Sequence, residues 1–219
     1  MSLSKVIEVA REELGNTEWP PGSNMQKYGE AYGWNGVPYC AQFLWWTFNR
    51  AGEKEAFIGG GKTASCGELY RYYKERGQTV KPSKAQVGDI AILNFSGTKE
   101  TQHCGLLVEK VGNQGWWRTI EGNTSPGDEG SQDNGGCVAL KLRHINQMVG
   151  ICRPQFKEEP VIDYKGHWAE KEIDWAKSIG IIKGYADGSF QPDRNITRAE
   201  IVTILRRYDE YRFGGEEKK

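Results

Sequence analysis

Apolar residues recur at helical spacing over the first eighty positions and at strand spacing from about residue 87. Leu3, Val6, Ile7, Ala10 and Leu14 share one helical face, and the pattern stops at Gly15. The same period runs through residues 39–51 up to Gly52 and through residues 66–76 up to Gly77, where glycine suits a left-handed C′ position. Ser65 with Glu68 three residues on predicts a capping box opening the last of these helices. Turn formers fill the stretches between, Trp19 to Asn24 and Ile58 to Gly61. Further on, Asp89 to Phe95, His103 to Val111, Trp116 to Glu121, Gly136 to Leu142 and Met148 to Cys152 read as five short strands of an antiparallel meander. Residues 1–152 thus read as an α+β domain with N-terminal helices. Residues 153–165, with two prolines and several charges, read as a linker, and residues 166–219 as a small all-α helix-loop-helix module with a charged tail.

Composition narrows the partners. The 219 residues suffice for one domain of ordinary size and one satellite, and no apolar run approaches the ~20 residues needed to span a bilayer, so no membrane partner is expected. The 29 basic and 29 acidic residues give zero net charge without a like-charge block, which argues against nucleic acid. The helical spacing at the N-terminus is unlike a signal peptide and predicts a product made in the cytoplasm. Five cysteines, scattered and without a CxxC pair, argue against a disulfide framework and a zinc site; no metal or cofactor is expected.

One cysteine stands apart by position. Cys40 falls in the first turn of the helix predicted over 39–51, where free N–H groups and the positive end of the helix dipole favour a thiolate, the nucleophilic form. Phe43, Leu44 and the tryptophans after them would anchor this helix, leaving Cys40 at an exposed tip facing a cleft. A buried packing cysteine is the competing reading. His103 opens a strand and can reach a helix tip packed against that sheet; its near-neutral pKa suits proton transfer. His144 lies among charges, and His167 belongs to the second module. Glu121 and Asn123, two apart at a strand end, project to one side and can both face the imidazole. Cys104 should point away from His103 into the core, and Cys66, Cys137 and Cys152 read as packing residues.

The order Cys40, His103, Glu121, Asn123 resembles the CHAP family, the cysteine and histidine dependent amidohydrolases and peptidases. The resemblance extends over about residues 3–152, through Glu13-Leu14-Gly15, Lys27-Tyr28-Gly29, Tyr32-Gly33, Pro38-Tyr39-Cys40-Ala41-Gln42-Phe43, Gly88-Asp89-Ile90, His103-Cys104-Gly105-Leu106-Leu107-Val108 and Ile120-Glu121-Gly122-Asn123-Thr124. It implies a papain-like (NlpC-like) fold, acyl transfer through a thioester, and peptidoglycan as substrate. Tyr39 stands where many relatives have tryptophan, and the stretch before Cys40 lacks the acidic cluster with which some relatives bind calcium, so no calcium site is expected there.

In the second module, Thr197 and Glu200 form a capping box signature, and Gly184 to Phe190 is a turn-rich connector between two helices. The string from His167 to Glu200 also resembles one S-layer homology (SLH) repeat, which implies binding to secondary cell-wall polymer through Trp168, Gly184, Arg198 and Glu200, Arg198 meeting an anionic sugar substituent. A lone helix pair has little core, which raises the expectation of a homo-trimer through this repeat. The leading reading is a phage or prophage endolysin released to the wall without a signal peptide. The alternatives are a bacterial autolysin or remodelling hydrolase and, from another class, a non-catalytic wall-binding protein. Amidase or endopeptidase action is left open, because loops 16–24, 58–64 and 124–135 would shape the specificity pocket.

Overall fold

The computed structural model describes residues 3–98, 100–127, 129–156, 162–185 and 188–214. The chain divides into two compact units, Met1–Glu158 and Glu159–Lys219. The expected linker centre, 157–161, and the charged tail, 215–219, lie outside the described residues.

In the first unit, helices α1 (Leu3–Glu12), α2 (Lys27–Tyr32), α3 (Cys40–Arg50), α4 (Lys54–Ile58) and α5 (Cys66–Glu75) precede strands β1 (Thr79–Val80), β2 (Ile90–Leu93), β3 (His103–Val111), β4 (Trp116–Thr124), β5 (Cys137–His144) and β6 (Met148–Cys152). The strands form one antiparallel sheet in the order β1-β6-β2-β3-β4-β5. The unit is an α+β fold. Short α2, α4 and β1 were not foreseen; five or six residues hold too little of a 3.6 period to register. Gly52 and Gly77 take positive φ, +77° and +66°, at the ends of α3 and α5, as a left-handed terminus requires. Only half of the expected capping box opens α5: Ser65 accepts from the Glu68 amide, but the Glu68 carboxylate accepts from Thr63 instead.

Strand alternation makes two cores. On the helix side, Phe43, Leu44 and Phe48 of α3 pack with Ile90, Ile92, Cys104, Leu106, Ile120 and Val138. On the other side lie Ala91, Leu93, Leu107, Trp117, Met148 and Ile151. Gly122 lets α3 come close, since a Cβ there would stand 2.6 Å from Phe43 Cβ. Gly105 does the same for Glu121, whose Cγ would be 2.6 Å from an added Cβ. The start of the free edge of β5 is taken by the segment after α1: Gly15 N–H donates to Val138 and Val138 N–H to Asn16, both about 2.8–2.9 Å, and Thr17 bridges to Cys137.

In the second unit, α6 (Glu170–Ser178) and α7 (Arg198–Phe213) flank a loop. Asp163 accepts from the amides of Phe190 and Gln191 at 2.8 and 2.7 Å and so pins that loop to the module's start. Tyr164, Ile173, Ala176 and Ile181 are its buried apolar side chains, whereas α7 has none fully buried among the described residues. No helix of the described residues is long and apolar enough to cross a membrane.

Candidate active site and C-terminal groove

Cys40 is the first residue of α3, and its N-cap, Tyr39, makes no side-chain capping bond. The first-turn amides are therefore left for other acceptors. The thiol is 4% exposed and belongs to the helix-side core, where an open tip was expected. The aromatic residues that anchor α3 draw its first turn down with them. Cys40 Sγ lies 3.5 Å from Cys66 Sγ of α5, and Cys104 Sγ of β3 completes a trio of sulfurs within 4.8 Å of one another. Cys104 does point into the core, as alternation requires, but the core is where the Cys40 sulfur sits.

His103 begins β3 and is fully buried. Its Nε2 lies 3.1 Å from Glu121 Oε2 on β4. Glu121, also fully buried, accepts from Arg143 Nη2 at 2.6 Å and Nε at 2.8 Å, and from the Thr119 hydroxyl at 2.5 Å. Arg143 donates in turn to Gln132 at 3.1 Å and lies over the Phe95 ring. His103 Nδ1 is buried without a hydrogen-bond partner among the described residues.

These contacts set the charges. Hydrogen bonds from the thiols of Cys104 and Cys66, together with the nearby imidazole, outweigh burial and hold the Cys40 thiol well below the ordinary range. Burial works against charge on His103, yet its interactions with Cys40 and Glu121 prevail and raise it to about 9. Burial also pushes Glu121 up, but the bonds from Arg143 and His103 win and hold it at about 2. Cys104 is pushed well up by burial; Cys66 is pulled down by Cys104 but goes well up through its bond to Cys40 and burial. These contacts favour charge separation between the Cys40 sulfur and the His103 ring, with the Glu121 carboxylate held against the imidazole by Arg143.

Asn123 does not join them through its hydrogen bonds. Its φ is +62°, the β4–β5 register shifts between Glu121 and Thr124, and its amide bonds Asn134 at 3.0 Å and the Gly136 N–H at 3.2 Å. The bulge breaks the two-residue rule that placed it on the imidazole. Arg143 and Thr119 went unseen in the sequence, since Lys-Leu-Arg-His reads as an exposed charged strand, whereas Lys141 and Arg143 are 3% and 4% exposed. A groove of about 410 Å³ is lined by Thr17, Trp19, Met25, Lys27, Asn35 and Tyr39 among others; Cys40 is not in its lining.

The second unit carries its own groove, about 680 Å³, lined by residues that include Lys183, Gly184, Tyr185, Arg194, Glu200 and Arg207. Gly184 has φ +75°, and a Cβ there would meet Ser189 O at 2.7 Å. Glu200 completes the capping box with Thr197 and lies 3.7 Å from Arg194. Arg194 sits over the Tyr185 ring. Trp168, 87% exposed, and exposed Arg198 are outside the groove lining.

A helix-borne thiol packed on an antiparallel sheet, with an imidazole opening one strand and a carboxylate on the next, is the layout of an α+β CHAP fold. Residues 28–123 match the CHAP domain, and residues 163–202 match the S-layer homology domain, so the chain carries a CHAP domain followed by an SLH domain. Similar stretches occur in cell surface glycoprotein 1 of Acetivibrio thermocellus (56% identity over 39 residues, 18% of this chain and 2% of that protein). The cellulosome-anchoring protein of the same organism is 47% identical over 45 residues (20% and 10%), and outer membrane protein SlpA of Deinococcus radiodurans 48% over 42 residues (19% and 4%). The chain thus spans a tenth or less of the length of these relatives. No solved structure matches. The cell-surface names of the relatives overturn the expectation of a cytoplasmic product released to the wall and point to the cell surface. They lend no support to a homo-trimer.

Proposed function

We propose that the first unit hydrolyses an amide bond of peptidoglycan by thiol acyl transfer and that the second holds it to secondary cell-wall polymer. The observation that carries the catalytic half is the Cys40, His103, Glu121, Arg143 chain, whose contacts favour thiolate and imidazolium together. The Cys40 thiolate attacks the carbonyl carbon, and first-turn amides of α3 stabilise the oxyanion. His103 gives its proton to the departing amine, leaving a thioester. It then takes a proton from water, which attacks the thioester and frees acid and thiolate. Glu121 fixes the imidazole tautomer; Asn123 is a positioning residue for the loop it bonds through Asn134 and Gly136. The surface-protein names favour an autolysin or remodelling hydrolase over an endolysin.

Digesting purified peptidoglycan and weighing the products by mass spectrometry tests this. New cross-bridge or stem amines would mark an endopeptidase, freed muramic acid lactyl groups an N-acetylmuramoyl-L-alanine amidase, and no new termini would overturn hydrolysis. Product release should fall as pH rises through about 9, when His103 loses the proton destined for the leaving amine. The stability that the His103 charge contributes follows the same sign: fully present below the ordinary 6.5, lost through about 9.

In the second unit, Lys183, Arg194 and Arg207 give the groove a cationic lining suited to an anionic polymer, while Glu200 is occupied in its cap. Arg194→Ala/Arg207→Ala protein should bind purified walls at least about 100-fold more weakly than wild type in a sedimentation titration, as two charge-assisted bonds at roughly 1.5 kcal/mol each would give. Unchanged sedimentation would move the polymer site to exposed Trp168 and Arg198.

A further inference from the structure

We propose that Cys40, Cys66 and Cys104 form a binding site for one thiophilic cation of the zinc class. The three sulfurs come from α3, α5 and β3, all lie within 4.8 Å of one another, and the closest pair is 3.5 Å apart. A tetrahedral cation with metal–sulfur bonds of about 2.3 Å needs sulfurs about 3.8 Å apart, so small side-chain movements close the site. The remaining buried cysteines, Cys137 and Cys152, belong to no such group among the described residues. His103 lies outside that 4.8 Å group, but its Nδ1 is buried without a hydrogen bond on a ring that interacts with Cys40, so a shift of the ring would bring in a fourth donor. Its other nitrogen meets Glu121 at 3.1 Å, the carboxylate–histidine arrangement that orients many metal-bound imidazoles. On binding, the thiol protons of Cys66 and Cys104 and the second imidazolium proton pass to water. Three thiolates, one neutral imidazole and the cation remain.

Binding occupies the sulfur assigned as nucleophile, so the cation acts as a reversible inhibitor; that consequence, unlike the binding itself, rests on the proposed function. Metal-free full-length protein, kept reduced with a phosphine, is titrated with Zn2+ against a chromophoric chelator and with Cd2+ in the ultraviolet. One equivalent per chain and a thiolate-to-cadmium absorption band are expected. Loss of an outer partner alone weakens metal sites 10–100-fold, so Cys66→Ala and Cys104→Val should each weaken binding at least about 100-fold and lower the band at saturation by about a third. X-ray absorption at the zinc edge of the wild-type protein is independent of the variants and should count three sulfur neighbours. A shell of only oxygen and nitrogen, less than one equivalent bound, or undiminished binding by folded variants would overturn the site. Metal-free protein that binds zinc but releases no wall fragments would overturn the hydrolase reading and leave the metal site standing.

Discussion

Cys40→Ser protein is expected to release muropeptides at least about 10⁴-fold more slowly than wild type while still sedimenting with walls through its SLH unit. The magnitude follows from what a nucleophile contributes when oxyanion donors and substrate binding are left in place. Serine is close in size to cysteine, but its hydroxyl is a far weaker acid. The Cys104 and Cys66 thiols and the His103 charge that hold Cys40 well below the ordinary thiol range cannot ionise a hydroxyl at neutral pH. Muropeptide release, quantified against time for both proteins, measures the effect. A rate within tenfold of wild type would remove Cys40 from the reaction.

Arg143→Met should cost about 3–5 kcal/mol of stability, because it strands a buried carboxylate that loses two charge-assisted hydrogen bonds and keeps only His103 and Thr119. Arg143→Lys should recover only part of this, since an ammonium cannot reproduce the paired donation from Nε and Nη2. The sign of the pH dependence is fixed by Glu121, held at about 2 against an ordinary 4.5. Its contribution is complete above the ordinary value and is lost as pH falls through about 2, so the gap between wild type and Arg143→Met should narrow in acid. Urea unfolding at neutral and acidic pH measures both effects. A difference below about 1 kcal/mol at neutral pH would show that another donor supports Glu121.

The sequence carried α3 and the long strands because their apolar periods were sustained, and it singled out Cys40 and His103 because each opens such an element and Glu121 because it closes the expected strand, although β4 itself runs on to Thr124. Arg143 was hidden by its neighbours. In Cys137–His144 the residues Lys141 and Arg143 fall on the side that alternation leaves polar, and there Lys141 meets Ser125 and Arg143 meets Gln132, contacts that the loop's length does not announce. Asn123 was placed on the imidazole by simple strand alternation, which fails where a positive φ and a bulge interrupt the strand. The sulfur trio was equally illegible. Its members come from two helices and a strand, and metal-site spacing rules apply only where ligands are close in the chain.

One border of the sheet is short and the other is partly covered. At one end β1 offers only two residues, and at the other the segment from Gly15 to Thr17 pairs with the first two residues of β5, Cys137 and Val138. An open β5 would be an eight-residue template for pairing with another copy. The irregular stretch after α1 thus shortens the edge on which another copy could pair, from eight residues to the six beyond Val138.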